Sequence, residues 1–355
     1  MENTGKTKIY NLVILDKSGS MGCIRDAAIS GFNETLGGIR LAQKEFSDTQ
    51  EHFVSLLTFC NCSKEYLYKC TPVEKVNDLT HRDYKPCCST PLYDAMGKAL
   101  NDMQQTTENE DEAAVIVTVI TDGMENASRE FSGKQIKELV DMLREKYGWN
   151  FSYIGTNQDV EAEAAKLSIT NTMSFSYNDA GMRRAWDQEY RSRGRMFHNL
   201  HFMKASCNTS DEMRAMLRED KRYREMSEFS HRVTPANITD LKPGQIFVFG
   251  SNAAGRHEGG ASRLALEKFG AINGLGEGLQ GQSYAIPSTE GKIELREAIC
   301  RFMNFARQHP ELTFLVTRIG CGVAGYKVEE VAPFFSAAVN FENVWLPQEF
   351  WEAII

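Results

Sequence analysis

The stretch Tyr10-Asn-Leu-Val-Ile-Leu-Asp-Lys-Ser-Gly-Ser-Met21 decides the fold that we predict for the first half of this chain. Its apolar run from Leu12 to Leu15 is typical of a buried strand in a parallel sheet. Asp16, Ser18 and Ser20 follow at alternate positions on a glycine-bearing turn. One carboxylate and two hydroxyls at this spacing aim three hard oxygen donors at one point, which suits a hard divalent cation.

The composition indicates a globular protein with room for two domains. The 355 residues can form two sizeable cores, and 42% hydrophobic with 25% charged residues is usual for soluble proteins. We see no basic-then-apolar start and no apolar run of 18 or more residues, which argues against a signal peptide and a membrane span. The net charge of -8 gives no general reason to expect nucleic acid as a partner.

The nine cysteines indicate a reducing compartment, because their number is odd and Cys23, Cys207 and Cys300 stand alone. We therefore expect a cytoplasmic protein. The others include a cluster in sequence, made up of Cys60, Cys62, Cys70, Cys87 and Cys88. A zinc site is conceivable there, but Cys-x-Cys and Cys-Cys lack the usual spacer of two to four residues, so the spacing favours free thiols.

Strands and helices alternate from residue 8 to residue 177, which predicts a doubly wound, Rossmann-like parallel sheet. The predicted strands are Ile9–Leu15, His52–Phe59, Ser63–Lys69, Ala113–Thr121, Trp149–Ile154 and Thr172–Phe175, and the predicted helices are Arg25–Phe46, one opening at Thr90, Ser132–Tyr147 and Asp159–Leu167. Ligands of such sheets lie beyond the carboxyl ends of the strands. Asp16 and Asp122 both lie at such ends, and Thr90, as N-cap before Pro91, opens a helix that can face the same edge.

This pattern resembles a von Willebrand factor A (vWA) domain with an intact metal-ion-dependent adhesion site. The resemblance covers residues 8–177 and rests on Asp16-Lys-Ser18-Gly-Ser20, then Thr90, then Thr121-Asp122-Gly123. It implies a Mg²⁺ or Mn²⁺ ion held directly by Ser18 and Ser20, and directly or through water by Asp16, Thr90 and Asp122. It also implies an open coordination position that accepts a carboxylate from a partner protein.

Two alternatives to an adhesion site remain open from the residues. Asp, Ser and Thr also favour ordinary turns and helix caps. Metal-assisted hydrolysis would need a general base beside a water molecule, and Glu125 and Asp94 are the nearby candidates in sequence. The resemblance implies adhesion rather than chemistry.

Residues 178–232 predict a charged helical connector. From Met182 to Arg232 there are 12 Lys and Arg against 8 Asp and Glu, a net charge of +4. Runs of charge are usually solvated faces, which favours a connector. The sharper hypothesis is a basic patch for nucleic acid or for an acidic partner.

Residues 233–355 contain two glycine-rich loops, each placed after a predicted strand and before a predicted helix. The first, Ser251–Ala261, follows the strand Gly244–Gly250, and the second, Ile319–Tyr326, follows the strand Leu312–Thr317. Glycines let main-chain N–H groups approach phosphate oxygens, and a helix N-terminus adds a positive end. Neither loop is a P-loop or a Rossmann dinucleotide fingerprint, and tight turns alone would explain the glycines.

Together these loops resemble a macro domain, the ADP-ribose-binding module, over residues 236–347. The resemblance rests on Phe249-Gly-Ser-Asn252 with its following glycines, on Tyr284-Ala-Ile-Pro287, and on the loop Ile319–Tyr326. It implies an α/β/α domain in which this last loop clasps the diphosphate, Asn252 lies near the distal ribose, and Phe or Tyr side chains stack on a ring. The implied nucleotide-binding residues are Ser251, Asn252, Gly259, Gly260, Gly320, Cys321, Gly322, Val323, Ala324, Gly325 and Tyr326.

The chain departs from the macro-domain pattern at two places. Many members have an aspartate for the adenine amine where this chain has Asn237, or the displaced Asp240. Hydrolytic members often carry an aspartate in the first loop, where this chain has His257 and Glu258. Glu258 could then serve as a base and His257 as an acid or phosphate contact, or the pair could belong to a solvated loop.

The sequence therefore predicts an intracellular two-domain binding protein. The vWA-like domain would dock a partner through Mg²⁺, and the macro-like domain would recognise ADP-ribose or a related NAD-derived nucleotide. The alternative is an enzyme whose second domain acts as an ADP-ribosyl hydrolase or as a phosphatase on an ADP-ribose derivative.

Overall fold

The computed structural model describes residues 5–110, 112–156, 160–206 and 208–355. Two features that we predicted, the helix start at Asp159 and the isolated Cys207, lie outside these residues. The chain divides into two compact units. The first holds the chain up to Gly194 together with Asn208–Tyr223, and the second begins at Arg195 and includes Arg224–Ile355.

The first unit is built on a six-stranded sheet. Its strands are β1 (Thr7–Asp16), β2 (Gln50–Cys60), β3 (Ser63–Pro72), β4 (Ala113–Ile120), β5 (Asn150–Thr156) and β6 (Asn171–Phe175). They lie in the order β3-β2-β1-β4-β5-β6, and all neighbours are parallel except the hairpin of β2 and β3. The predicted Rossmann-like α/β sheet is confirmed, with both central strands almost wholly buried.

Helices cover both faces of this sheet. They are α1 (Arg25–Glu45), α2 (Leu92–Thr107), α3 (Gly133–Tyr147), α4 (Val160–Lys166), the part of α5 (Asp179–Ala205) that ends at Gly194, and α6 (Ser210–Glu219). On one face α2, α3 and α4 pack over Leu12 and Ile14 of β1 in an apolar core. Elsewhere Trp186 of α5 packs so closely on α1 that a Cβ on Gly31 would lie 2.0 Å from its indole. Gly31 therefore permits this helix contact.

Segment 178–232 does not form the separate, solvated connector that we predicted. It is shared between the two units, and several of its charges are buried within the first. Arg193 and Arg222 both donate to Glu189 Oε1, at 2.7 and 2.5 Å, and all three side chains are almost inaccessible to solvent. Burial would raise the pKa of Glu189, but the two guanidiniums hold it at about 2. The charge-run rule fails here because the charges neutralise one another inside the fold.

The second unit is built on a five-stranded sheet. Its strands are β7 (Gln245–Ser251), β8 (Gly278–Gln280), β9 (Ser283–Pro287), β10 (Thr313–Val316) and β11 (Val344–Trp345). The order is β11-β10-β7-β9-β8, and only the β8–β9 pair among these strands is antiparallel. We did not predict β8, which is three residues long and glycine-flanked.

Helices of the second unit lie on both faces of its sheet. They are α7 (Gly260–Lys268), α8 (Lys292–Gln308), α9 (Val328–Val331) and α10 (Gln348–Ile354). Helix α7 packs on Phe247 and Phe249 of β7, whereas α8 packs on Val248 and its neighbours from the opposite face. The chain therefore changes sides of the sheet around β7, which leaves a crevice at the carboxyl ends of β7 and β10. Among the described residues, no helix is long and apolar enough to cross a membrane.

Candidate functional site

Five oxygen-bearing side chains come from the carboxyl-terminal edge of the first sheet and the loops beside it. Asp16 ends β1, and Asp122 follows β4, its direct parallel neighbour. Ser18 and Ser20 lie at the start of a short 3₁₀ turn that follows Asp16. Thr90 lies just before α2.

Hydrogen bonds link these side chains to one another. The Ser18 and Ser20 hydroxyl oxygens lie 3.2 Å apart, and Ser20 Oγ donates to Asp122 Oδ1 at 2.9 Å. Asp16 accepts from the Ser18 N–H at 2.6 Å and from the hydroxyl of Thr121 at 2.6 Å. Four of the five predicted ligands thus lie in one connected group.

Thr90 faces the same group but does not cap α2 as we predicted. Pro91 is the residue that precedes the helix, and its side chain cannot accept a capping bond. The Thr90 N–H instead donates to Asn126 Oδ1 at 2.9 Å. A Cβ placed on Gly123 would lie 3.3 Å from Thr90 Oγ1, so the hydroxyl points to the residue after Asp122. Because it does not cap α2, the Thr90 hydroxyl is available to a ligand.

The two carboxyl groups lie in an environment that disfavours their negative charge. Burial raises the pKa of Asp16 to about 6, against the bonds from Thr121 and Ser18. Burial also raises the pKa of Asp122, against the bond from Ser20. Asp122 Oδ2 is buried and has no hydrogen-bond partner among the described residues. A bound cation would compensate both carboxylates and satisfy this oxygen, so the donor set fits a hard divalent ion.

Two tyrosines that we did not predict hold the backbone of this site. The Tyr84 hydroxyl donates to the carbonyl oxygen of Asp16, and the Tyr177 hydroxyl donates to that of Ser20. Tyr84 is fully buried although its neighbours in sequence are polar. A lone aromatic residue in a polar loop was the only sequence signal for this role.

The two candidate bases for metal-assisted hydrolysis are engaged in structural bonds. Glu125 accepts from the N–H groups of Tyr93, Ala127 and Ser128. Asp94 accepts from three consecutive N–H groups, those of residues 129–131, and from Lys64 at 2.9 Å. Despite burial, which raises it, these bonds lower the pKa of Asp94. Neither carboxylate is placed to accept a proton from water, which disfavours hydrolysis at this edge.

The second unit has a cavity of about 1480 Å³ at the carboxyl-terminal edge of its sheet. Both glycine-rich loops line it, together with Asn237 and Glu349 from other segments. Of the predicted nucleotide-binding residues, the cavity is lined by Ser251, Asn252, Gly259, Gly260, Gly320, Cys321, Gly322, Val323 and Ala324. Gly325 and Tyr326 are not among the lining residues, and the Tyr326 N–H is bonded to the carbonyl of Gly320.

The second loop presents main-chain donors to this cavity. Gly320 adopts a left-handed φ of 77°, and the turn closes through a bond from the Gly325 N–H to the Gly322 carbonyl at 3.0 Å. Within the described residues, the N–H groups of Gly322, Val323 and Ala324 make no hydrogen bond. Consecutive N–H groups left free on a glycine-rich turn are suited to anion binding.

The first loop is closed by its own side chains. Asn252 donates to the Arg256 carbonyl at 3.0 Å and accepts from the Arg256 N–H at 3.1 Å, so both ends of its amide are engaged within the loop. To contact a ribose as predicted, the Asn252 amide would have to bond the ribose and Arg256 at the same time. Gly255 has a φ of 63°, and a Cβ there would lie 2.4 Å from the Leu275 nitrogen.

His257 and Glu258 do not form the acid–base pair that we predicted. The His257 ring is buried against Phe249, at 5.2 Å between ring centroids, and its Nε2 lies 3.1 Å from the carbonyl oxygen of Ile272. It does not line the cavity, so it is not placed to contact a phosphate there. Glu258 is exposed and does line the cavity. The burial of this histidine could not be predicted, because the rest of the loop sequence is polar.

The residues that we expected to contact a base are only partly placed at this cavity. Asn237, at the position where we looked for an adenine-binding carboxylate, is exposed and lines the cavity, whereas Asp240 does not line it. The aromatic side chain that lines the cavity is Phe247, which is 2% exposed and packed on Phe269. Among the described residues that line the cavity, none is an exposed Phe or Tyr on which a base could stack.

No protein-family model and no curated protein matches this sequence. Solved structures similar to part of the chain include the PilB minor pilin of Streptococcus sanguinis, at 12% identity and a TM-score of 0.37 over 53% of this chain and 62% of that one. They also include a von Willebrand factor type A protein of Catenulispora acidiphila, at 11% identity and a TM-score of 0.37 over 52% of this chain and 42% of that one. The manganese-loaded TRAP protein of Plasmodium vivax is similar at 16% identity and a TM-score of 0.35 over 51% of this chain and 73% of that one.

The matched region spans less than two thirds of the first of these structures. Such identities and TM-scores assign neither a family nor a function to the chain. The chemistry of the two sites must therefore be inferred from their own residues.

Proposed function

We propose that the first unit is a vWA-type domain whose metal-ion-dependent adhesion site binds Mg²⁺ or Mn²⁺ and captures a carboxylate of a partner protein. The observation that carries this proposal is the group of hydroxyl and carboxylate oxygens around Asp122, one of whose oxygens is buried without a partner. Hard oxygen donors of this kind select Mg²⁺ or Mn²⁺ over softer ions.

Each residue of the group would have a separate duty. Ser18 and Ser20 would bind the ion through their hydroxyls, and Asp16, Thr90 and Asp122 would bind it directly or through water. Bound metal would supply a positive charge at an open position, to which a partner's carboxylate can bind. Thr121 and the Ser18 N–H fix the Asp16 carboxylate, so its oxygens need little reorganisation.

For the second unit we propose recognition of ADP-ribose or a related NAD-derived nucleotide by a macro-type module. The support is the cavity at the strand ends, with free N–H groups at Gly322, Val323 and Ala324 on one side and the N-terminus of α7 on another. Both features favour a diphosphate. Asn237 in place of an acidic residue would weaken selection for adenine, so related bases remain within the proposal.

A hydrolase or phosphatase acting on an ADP-ribose derivative is the second candidate. It is favoured by one observation, the exposed carboxylate of Glu258 at the cavity. It is disfavoured by the burial of His257, which leaves Glu258 without the acid that we had paired with it. We therefore place binding ahead of catalysis.

Partner capture tests the metal-site proposal. We expect the full chain to retain a partner in Mg²⁺ and to release it in chelator, and we expect Asp16→Ala to retain none. Asp26→Ala is a matched control, because Asp26 is exposed on α1 and bonds only His81 among the described residues. Capture that survives both chelator and Asp16→Ala would rule out the metal mechanism.

Calorimetric titration tests the second unit. ADP-ribose should bind the full chain with measurable heat, and no heat with ADP-ribose or related dinucleotides would contradict the proposal. Turnover of ADP-ribosylated protein then separates binding from catalysis. If turnover is present and Glu258→Ala leaves it unchanged, Glu258 is not the base.

A further inference from the structure

Three cysteine thiols, with a fourth in contact with two of them, lie beside the carboxyl-terminal edge of the first sheet. The sulfur atoms of Cys60, Cys62 and Cys87 all lie within 4.8 Å of one another, and those of Cys60 and Cys87 are 3.4 Å apart. The thiol of Cys88 lies outside this group of three, but it makes hydrogen-bonding contact with both Cys62 and Cys87. Cys70, the fifth member of the sequence cluster, lies elsewhere, against Ser55 and Thr106.

The fold brings together two pairs that lie 25 residues apart. Cys60 ends β2, and Cys62 lies in the tight turn before β3. The loop that carries Cys87 and Cys88 is tied to this turn by a bond from the Asn61 N–H to the Ser89 carbonyl at 2.9 Å. Cys88 has a left-handed φ of 62°, which is uncommon for a residue other than glycine. Cys88 thus has an unfavourable backbone conformation at the point where the two adjacent cysteines meet the cluster.

The spacing and chemistry of the group suit a soft metal ion. Tetrahedral zinc with sulfur at about 2.3 Å places its four sulfurs roughly 3.8 Å apart. The sulfurs of Cys60 and Cys87 lie 3.4 Å apart, and those of Cys60, Cys62 and Cys87 all lie within 4.8 Å of one another. Thiolates select zinc over the hard ions that the oxygen site would take. Hydrogen bonding to Cys60 raises the pKa of Cys87 to about 12. Burial raises the pKa of Cys60, but hydrogen bonds from Cys87, from Ser63 and from the main chain together lower it.

We propose that Cys60, Cys62, Cys87 and Cys88 form a structural zinc site with four thiolate ligands. Binding would form four Zn–S bonds, and each thiol that is still protonated would release its proton to solvent. Four thiolates would complete tetrahedral coordination, so such a site would need no water ligand. This proposal stands independently of the function proposed above.

Such a site would fix the loop that presents Thr90 to the adhesion site. The Cys87 N–H donates to the Lys17 carbonyl at 2.8 Å, and the Cys88 carbonyl accepts from the Gly19 N–H at 3.0 Å. Lys17 and Gly19 alternate with the three ligands on the first loop, and Thr90 follows Cys88 by two residues. Zinc would thus hold the two loops together. None of its four proposed ligands is a proposed ligand of the ion at the oxygen site.

Metal analysis of the full chain, purified with reductant and without added metal, tests the proposal. We expect about one zinc per chain. Cys62→Ser and Cys88→Ser, both at exposed positions, should each reduce zinc at least about tenfold. Cys70→Ser is the control from the same sequence cluster and should keep it. Asp16→Ala should also keep it, which separates this site from zinc at the oxygen site.

Replacement of zinc by Co²⁺ gives a second readout that does not depend on stoichiometry. Sulfur-to-cobalt charge-transfer bands with intense tetrahedral d–d bands are expected in the full chain and should be lost in Cys88→Ser. Absence of zinc and of these bands would overturn the proposal, as would their retention in both variants. A mass lower by two hydrogens, with a Cys60–Cys87 disulfide in place of bound metal, would also overturn it.

Discussion

The carboxyl-terminal edges of the two sheets present their donors in different ways. At the first edge the donors are side-chain oxygens, those of Asp16, Ser18, Ser20 and Asp122, linked by hydrogen bonds. At the second edge they are main-chain N–H groups, on the turn that carries residues 322–324 and at the start of α7. The same sheet-edge geometry thus suits a cation in one unit and an anion in the other.

This difference determines how each site should respond to substitution. A side-chain site depends on residue identity, so deletion of one oxygen removes a ligand. A main-chain site depends on backbone conformation, so it should tolerate loss of a side chain and fail when a side chain is added where none fits.

Asp16→Asn should have the largest effect. The substitution preserves shape but removes the charge of a ligand, and we expect Mg²⁺ affinity to fall by at least about a hundredfold, the upper end of what loss of a supporting residue costs. Titration calorimetry with MgCl₂ measures this directly. Retention of affinity within about tenfold would mean that Asp16 is not a ligand.

The stability of Asp16→Asn without metal is a control for correct folding of the variant. Burial raises the pKa of the Asp16 carboxyl group to about 6. At neutral pH its negative charge therefore destabilises the metal-free fold. We expect Asp16→Asn to unfold in urea at a concentration no lower than the unmodified chain when metal is absent. A markedly lower midpoint would show that lost affinity reflects lost structure.

Gly320→Ala should have the next largest effect, at the other edge. Gly320 has a φ of 77°, and a Cβ there would lie 3.1 Å from the Leu295 side chain and 3.3 Å from Val331. The strain and crowding should lower the free energy of unfolding of the second unit by about 1–3 kcal/mol. Urea denaturation measures the loss.

Gly322→Ala is the matched control for that substitution. Nothing lies within 4 Å of a Cβ at Gly322, and its φ lies outside the strained region. We expect its free energy of unfolding to change by no more than about 0.5 kcal/mol. Equal losses at the two glycines would show that the loop conformation does not depend on Gly320.

The sequence identified the first edge better than the second, and the contrast explains why. Asp16, Ser18, Ser20 and Asp122 could be found because side-chain donors leave residue types at fixed places after buried strands. Main-chain donors leave only glycines, which also mark ordinary turns. Nothing in the sequence distinguished the free N–H groups of 322–324 from that of Tyr326, which is bonded within the loop.

Tertiary contacts account for the remaining failures of prediction. The approach of Cys60 and Cys87 to 3.4 Å could not be foreseen from their spacing, because the loop that carries Cys87 meets the β2–β3 turn only in the fold. The charged segment that contains Arg193 and Arg222 was predicted to be solvated. The sequence did not reveal that Glu189, in the same segment, pairs with both arginines inside the fold. His257 was assigned a catalytic role because its burial against Phe249 depends on how the loop folds back.

The pH dependence of Mg²⁺ binding should be a smaller and reversible effect. Burial raises the pKa of Asp16 to about 6, above its value of about 3.9 in an unfolded chain, and raises that of Asp122 as well. Mg²⁺ requires the carboxylates, so its affinity should fall by about tenfold per pH unit below pH 6 and level off above it. Calorimetry from pH 5 to pH 8 measures this profile.

The stability of the metal-free chain should change with pH in the opposite sense. Between about pH 4 and pH 6 the folded chain keeps a proton that the unfolded chain has lost. The stability contributed by protonated Asp16 is therefore present at acid pH and is lost as pH rises through 6. In Asp16→Asn this part of the dependence should vanish, and its persistence would assign the titration to another group.

Val323→Ala should have the smallest effect and gives the sharpest test of main-chain recognition. Val323 is fully exposed in the turn that lines the cavity, and its N–H is free within the described residues. Truncation to alanine removes two methyl groups but keeps that N–H, so ADP-ribose affinity should stay within about twofold. Ser20→Ala, an equally small truncation at the first edge, should instead weaken Mg²⁺ binding well beyond that. If Val323→Ala lost tenfold or more in affinity, the second edge would be a side-chain site like the first, and the contrast between the two sheets would fail.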